Sequence, residues 1–184
     1  GVAPRLNAAG RVAHAWKGVR LLTTDSEEEA KALALELNET NVQRQTIEKD
    51  ICLQAEKRIE ELRAEHDNVL VVDGKEWHPG VIGIVASRLT KSHGRPSFVL
   101  SVKDGIGKGS CRSIPAFNIY EALKSADDLL IQFGGHKMAA GFSIQEKMIP
   151  SFRERMNQYA AEHLKPEDYV PKIHLEGKME QSRV

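Results

Sequence analysis

Apolar residues recur at Ala30, Leu33, Leu37, Ile47, Ile51, Ala55, Ile59 and Leu62, mostly three or four positions apart, the spacing of one helical face. The pattern predicts a helix from about 26 to 66, roughly 60 Å long at 1.5 Å per residue, with an interruption near Glu39–Asn41 left open. The stretch "DSEEEA" marks its start. Ser26 can cap, Glu29 can complete a capping box, and acidic side chains oppose the positive end of the helix dipole. Such a helix either lies across a domain surface or forms a strut between two domains.

Beyond residue 68 the pattern shortens and alternates. "NVLVVDG" and "RPSFVLSV" are apolar, β-branched runs that read as strands, with the helical spacing of "VIGIVASRLTKSHG" between them. The Asp104–Gly105 turn leads into a third strand, "IGKGSCRSI". "NIYEALKSADDLLIQFGG" (118–135) reads as an amphipathic helix capped by Asn118 and stopped by Gly134 and Gly135. A strand "AAGFSI", a helix from Ile149 to Leu164 with Pro150 in its first turn, a linker "KPEDYVPK" and a last strand "IHLEGKM" complete the chain. Strands alternating with helices imply an α/β protein: a long connecting helix, then a mixed or parallel sheet covered by helices.

Composition narrows the function. With 26 basic and 26 acidic residues in 184, the chain is no polycation built to coat long polyanions, though a local cluster can still grip a few phosphates. Cys52 and Cys111 belong to no CxxC pattern, which argues against a zinc site or disulfide framework and for reduced cytosolic thiols. No apolar run reaches the roughly 20 residues of a membrane helix, and the amino terminus lacks the apolar core of a secretory signal. It begins inside what reads as a motif, as a fragment of something longer would.

Three stretches concentrate chemistry. In "PRLNAAGR", Arg5 and Arg11 bracket Asn7 and small residues; two guanidiniums could grip a phosphate, or the segment is a turn with solvated arginines. "GKGSCRSI" offers glycine backbone, Lys108, Ser110, Arg112 and Ser113, a donor set suited to an anion, or else a polar hairpin facing water. In "FGGHKMAAG", Gly134 and Gly135 precede His136; glycine permits close ligand approach, and an imidazole can donate to a phosphate oxygen or stabilise developing negative charge. A helix stop with a satisfied histidine fits the same residues. "EWHPGV" adds a rigid loop before a helix, read as structural.

These stretches, with "WHPGVIGIVASRL" and "NIYEAL", resemble in order and spacing the RecJ-type single-stranded-DNA exonucleases of the DHH phosphoesterase family, over residues 1 to about 165. The resemblance implies four parts: residues 1–25 as the tail of a DHH domain, 26–66 as a connecting helix, 67–165 as the DHH-associated domain, and 166–184 as a linker and the start of an oligonucleotide-binding barrel. It also implies 5′-end hydrolysis of single-stranded DNA with two Mn2+ or Mg2+ ions held by an upstream DHH domain. The family's Asp and His metal ligands are absent here, so the fragment alone is expected to bind phosphates, hold no metal and turn over little. By the same resemblance His136 reaches the scissile phosphate, while Arg112, Ser110 and Ser113 hold phosphates near the 5′ end, helped by Arg5; Gly134 and Gly135 let backbone crowd the site. Arg11, Asn7 and Lys108 are further phosphate candidates. Other members of the family act on short oligonucleotides or small nucleotide phosphates, and a binding module without chemistry remains the alternative of a different class.

Overall fold

The computed structural model of the chain describes residues 1–170; the strand expected in "IHLEGKM", with most of the expected barrel start, lies outside the described residues. Three helices come first: α1 (Val2–Val12), α2 (Trp16–Thr23) and α3 (Glu27–Leu62). The "PRLNAAGR" segment is therefore helical, neither a turn nor an open bracket. Its proline falls in the first turn, where a missing N–H costs nothing.

The 36 residues of α3 run without a break through Glu39–Asn41, about 54 Å at the helical rise. Leu37, Ile51, Ala55 and Ile59 are buried along one side. Ser26 caps it by accepting from the Glu29 N–H at 3.3 Å. The expected box is only half made. Glu29 turns instead to Arg20, accepting from its Nε at 2.6 Å and its Nη2 at 2.9 Å, and Glu29 also accepts from the Thr24 hydroxyl. Those bonds hold the Glu29 carboxyl below its usual range, Arg20's first and Thr24's second, and tie α2 to the start of α3.

The remaining elements alternate: β1 (Leu70–Lys75), α4 (Pro79–His93), β2 (Ser97–Lys103), β3 (Ile106–Arg112), α5 (Ile119–Lys124), β4 (Leu130–His136), β5 (Ala139–Gln145) and α6 (Ile149–His163). The strands form one sheet in the order β1-β2-β3-β5-β4, with β1 parallel to β2 and every other pair antiparallel. It is thus mixed. Its parallel step is bridged by α4, which starts on Pro79 with His78 as cap and ends on the left-handed Gly94.

The helix read over 118–135 is a correction. Asn118 does cap, accepting from the N–H groups of Tyr120 and Glu121, but the helix ends at Lys124. A 3-10 turn at Asp127–Leu129 follows, held by Arg155 donating to the Ser125 carbonyl at 2.8 Å and to Asp128. Residues 130–136 then pair with β5. Two adjacent glycines are poor helix formers, and ladder bonds to a neighbouring strand outweigh a helical apolar spacing.

The alternation of the strands gives the sheet two different faces. Val71, Phe98, Leu100, Cys111, Ala140, Phe142 and Ile144 point into a core shared with α5 and α6, where Phe152 packs on Phe142 at 4.9 Å and on Phe98 at 5.7 Å. Leu70, Val72 and Val99 point the other way, into a second core with α4 and the later half of α3. On that second face the helices stop at β3. Gly134, His136 and Gly141 beyond it are exposed.

Candidate functional site

The uncovered half of the second face is where the register gathers the polar residues. Directly paired residues share a face, so each pairing across β3, β5 and β4 defines a row. Arg112 pairs with Ala139, which pairs with His136. In the next row Ser110 pairs with Gly141, and Gly141 with Gly134; in the third, Lys108 pairs with Ser143, and Ser143 with Gln132. Arg112 and His136 thus stand on one face, two strand spacings or about 10 Å apart across the sheet, with Ala139 the only side chain between them in their row.

Arg112 and the hairpin backbone next to His136 are fixed locally. Arg112 donates from Nη1 to the Cys111 carbonyl at 2.8 Å and to Ser110 Oγ at 3.4 Å. Because the second bond uses a lone pair of Ser110, its O–H stays free to donate outward. Thr90 of α4 donates to the Arg112 carbonyl at 3.3 Å. The helix can lie this close because it has Gly83 at the contact: a Cβ there would stand 2.9 Å from Ser110 Oγ and 3.3 Å from Arg112 Nη2. His136 closes the β4–β5 hairpin, whose two-residue tip is pinned from outside. Ser113 N–H donates to the Met138 carbonyl and Ile119 N–H to the Lys137 carbonyl, both at 3.0 Å.

The glycines divide into two kinds. Gly135 is required by the chain itself, with φ of 149° and a Cβ that would collide with Ala140. A Cβ added at Gly134 would meet nothing within 4 Å, and one at Gly141 only the Gly109 carbonyl oxygen at 3.6 Å. No neighbour among the described residues demands bare backbone at either. They form an open floor between two polar rows.

The structure brings some predicted residues together and separates others. Arg11 donates to the Gly80 carbonyl at 3.2 Å; Gly80 lies one turn before Gly83 on α4, so the end of α1 reaches the same helix face that borders Ser110 and Arg112. Lys108 is exposed beside them and lines a cleft with Trp77, His78, Pro79, Ser101 and Ile106. Arg5 turns away: six residues from Arg11 on a helix puts them about 120° apart, and Arg5 donates to Asn38 on α3 at 2.9 Å and to the Gly1 carbonyl at 2.7 Å. The two arginines therefore make no common fork. Asn7 is exposed on α1. Ser113 is buried, and its hydroxyl donates to the Phe117 carbonyl at 2.7 Å, so it serves the loop rather than the open face. His78 accepts from the Gly80 N–H at 3.1 Å and caps α4, the structural role read from its loop. Cys111 is buried and its thiol is pushed up to about 12 by that burial, which leaves no thiolate at neutral pH.

Gly83, Gly141, Ser143 and Gln132 were missed in the sequence. For Gly141 and Ser143 a signal existed: in "AAGFSI" they alternate with the buried Ala140, Phe142 and Ile144. Chemically the face offers guanidinium, hydroxyl, ammonium and imidazole donors. None of the ion pairs among the described residues uses Arg11, Lys108, Arg112 or His136, so none of the four is committed to a carboxylate there. The described residues contain no group of three His, Cys, Asp or Glu able to hold a metal ion.

The chain is similar to known proteins over most of its length. Residues 66–162 match the DHHA1 domain. The chain is 44% identical over 160 residues to the single-stranded-DNA-specific exonuclease RecJ of Thermus thermophilus, covering 87% of this chain and 23% of that protein. It is 40% identical over 172 residues to the Bacillus subtilis protein of the same name, covering 92% and 22%. Among solved structures, Thermus thermophilus RecJ in complex with Mn2+ matches with a TM-score of 0.80 at 43% identity, over 90% of this chain and 24% of that one. An exonuclease RecJ bound to manganese matches with 0.80 at 41%, over 92% and 42%. The chain spans less than a quarter of the length of the first two curated relatives.

Proposed function

The chain belongs to the DHHA1 domain family, and from that premise we propose that it is the substrate-binding half of a RecJ-like exonuclease that hydrolyses single-stranded DNA from its 5′ end. In this reading residues 1–25 end a DHH domain that lies upstream in the same polypeptide, 26–66 connect it, 67–165 form the associated domain, and 166–184 lead towards an oligonucleotide-binding barrel. The enzyme would act in the cytoplasm, in DNA repair and recombination; no described helix is long and apolar enough to cross a membrane.

The observation that carries the reading is the register: Arg112 and Ser110 on one side, His136 on the other, and bare Gly134–Gly141 backbone beside them on a single open face. Arg112 and Ser110 hold the terminal phosphate, with Arg11 adding charge from α1. His136 donates to the scissile phosphate, where negative charge grows as the bond to the leaving oxygen lengthens. A terminal phosphate fixed beside the scissile one accounts for attack from one end. The Thermus thermophilus RecJ structures that this chain matches are complexes with Mn2+ or Mg2+. The described residues do not fit such an ion, so the full-length enzyme would hold it elsewhere, and the fragment alone is expected to bind phosphates without turnover.

The test is His136→Ala in a full-length protein carrying this segment. Loss of a donor felt mainly in the transition state lowers kcat by about 100- to 1000-fold while single-strand Kd changes little. Equal loss of affinity and turnover, or unchanged turnover, overturns the role.

A further inference from the structure

The polar face does not end at the floor of glycines. Lys108, Ser143 and Gln132 form a third row, two rows and about 13 Å from Arg112 and His136 at the strand rise. Gln132 donates from Nε2 to Ser143 Oγ at 3.5 Å, which occupies an acceptor and leaves the Ser143 O–H and the second amide N–H unclaimed. Lys108 has no ion-pair partner among the described residues. Cation, hydroxyl and amide therefore stand in one row on three neighbouring strands, on the same face as the first row and separated from it only by Ser110 and two glycines.

We propose that this row is a second phosphate subsite, and that the protein reads its substrate as a strand of at least four nucleotides. The proposal rests on the reading that the first row binds a terminal and a scissile phosphate. One row-to-row step matches the reach of roughly one nucleotide of extended backbone, two residues of strand being about 7 Å. A strand leaving the scissile phosphate at His136 crosses the glycine floor of Gly134 and Gly141, where no side chain obstructs its sugar, and meets the third row two steps on. A dinucleotide or a small nucleotide phosphate ends before that row and gains nothing from it. The subsite thus makes length, rather than base identity, the property selected.

The experiment measures binding of a 5′-phosphorylated dinucleotide and an octanucleotide to a full-length protein carrying this segment, with wild type, Lys108→Ala, Gln132→Ala and Arg112→Ala compared at several salt concentrations. Lys108→Ala is expected to shrink the octamer-over-dimer preference about fivefold and to make the octamer's log–log salt slope shallower by about 0.7, one phosphate contact on a single strand. Gln132→Ala, which changes no charge, shrinks the preference without altering the slope. A length preference unchanged in both variants overturns the subsite. In that case a loss of affinity for both lengths in Arg112→Ala leaves the first-row reading standing. If Arg112→Ala also binds both lengths as wild type does, the reading beneath the proposal has failed as well.

Discussion

At the scale of single residues, the two adjacent glycines of β4 do different work. Gly135 is there because its backbone, at φ of 149°, and its contact with Ala140 admit no side chain. Gly134 is free of both constraints. Gly135→Ala is therefore expected to destabilise the protein by about 1–3 kcal/mol through backbone strain, read as a lower melting temperature. Gly134→Ala should melt within about 0.5 kcal/mol of wild type, yet bind a single strand at least several-fold more weakly, because the new methyl stands on the floor the strand must cross. Equal melting temperatures for the two variants would show the division to be wrong. Much at this scale was legible: His136, Arg112 and Ser110 were named from local composition, and the structure puts them on one face. Ser113 and Arg5 were not separable from them, because a buried hydroxyl bound to Phe117 and a guanidinium turned to Asn38 are set by tertiary neighbours.

Among the elements, α3 and α4 are joined by charge as well as by their apolar stripe. Glu48, 1% exposed, is paired with Arg44 on its own helix and with Arg88 on α4; Arg44 in turn donates to the buried Asn41 at 3.1 Å. Removing the carboxylate in Glu48→Ala leaves the largely buried Arg44 without a counter-charge, a loss of about 3–5 kcal/mol for such a broken pair, to be read from urea unfolding. A change under about 1 kcal/mol would mean that the pair is solvated and contributes little. The long helix was readable because its apolar period persists over many turns. Its buried Asn41 and Glu48 were not, since polar residues inside a stripe look like a break until their partners are known. The reverse error occurred at 118–135, where a helical spacing over "IYEALKSADDLL" ran on into residues that pair with β5. Sheet order fails to show in sequence for the same reason: β4 follows α5 in the chain but takes its place outside β5.

For the molecule as a whole, 26 positive and 26 negative side chains cancel, and composition alone excluded a broad polyanion-coating surface. It left open where a few uncompensated cations stand. The structure places Lys108 and Arg112 on one half of one sheet face, with Arg11 at its border. Binding of single-stranded DNA through three or four such contacts is expected to weaken with salt at a log–log slope of about −2 to −3; a flat dependence in titrations would place the affinity elsewhere. Finally, the hairpin tip next to His136 is held through the Met138 and Lys137 carbonyls, by Ser113 after β3 and by Ile119 at the start of α5. The freedom of that tip is surrendered when the polypeptide folds, before any ligand arrives, and does not weigh against association later. If the hairpin acts as proposed, its backbone is set before a strand arrives, and any change of shape in a full-length enzyme would fall to other parts of the molecule.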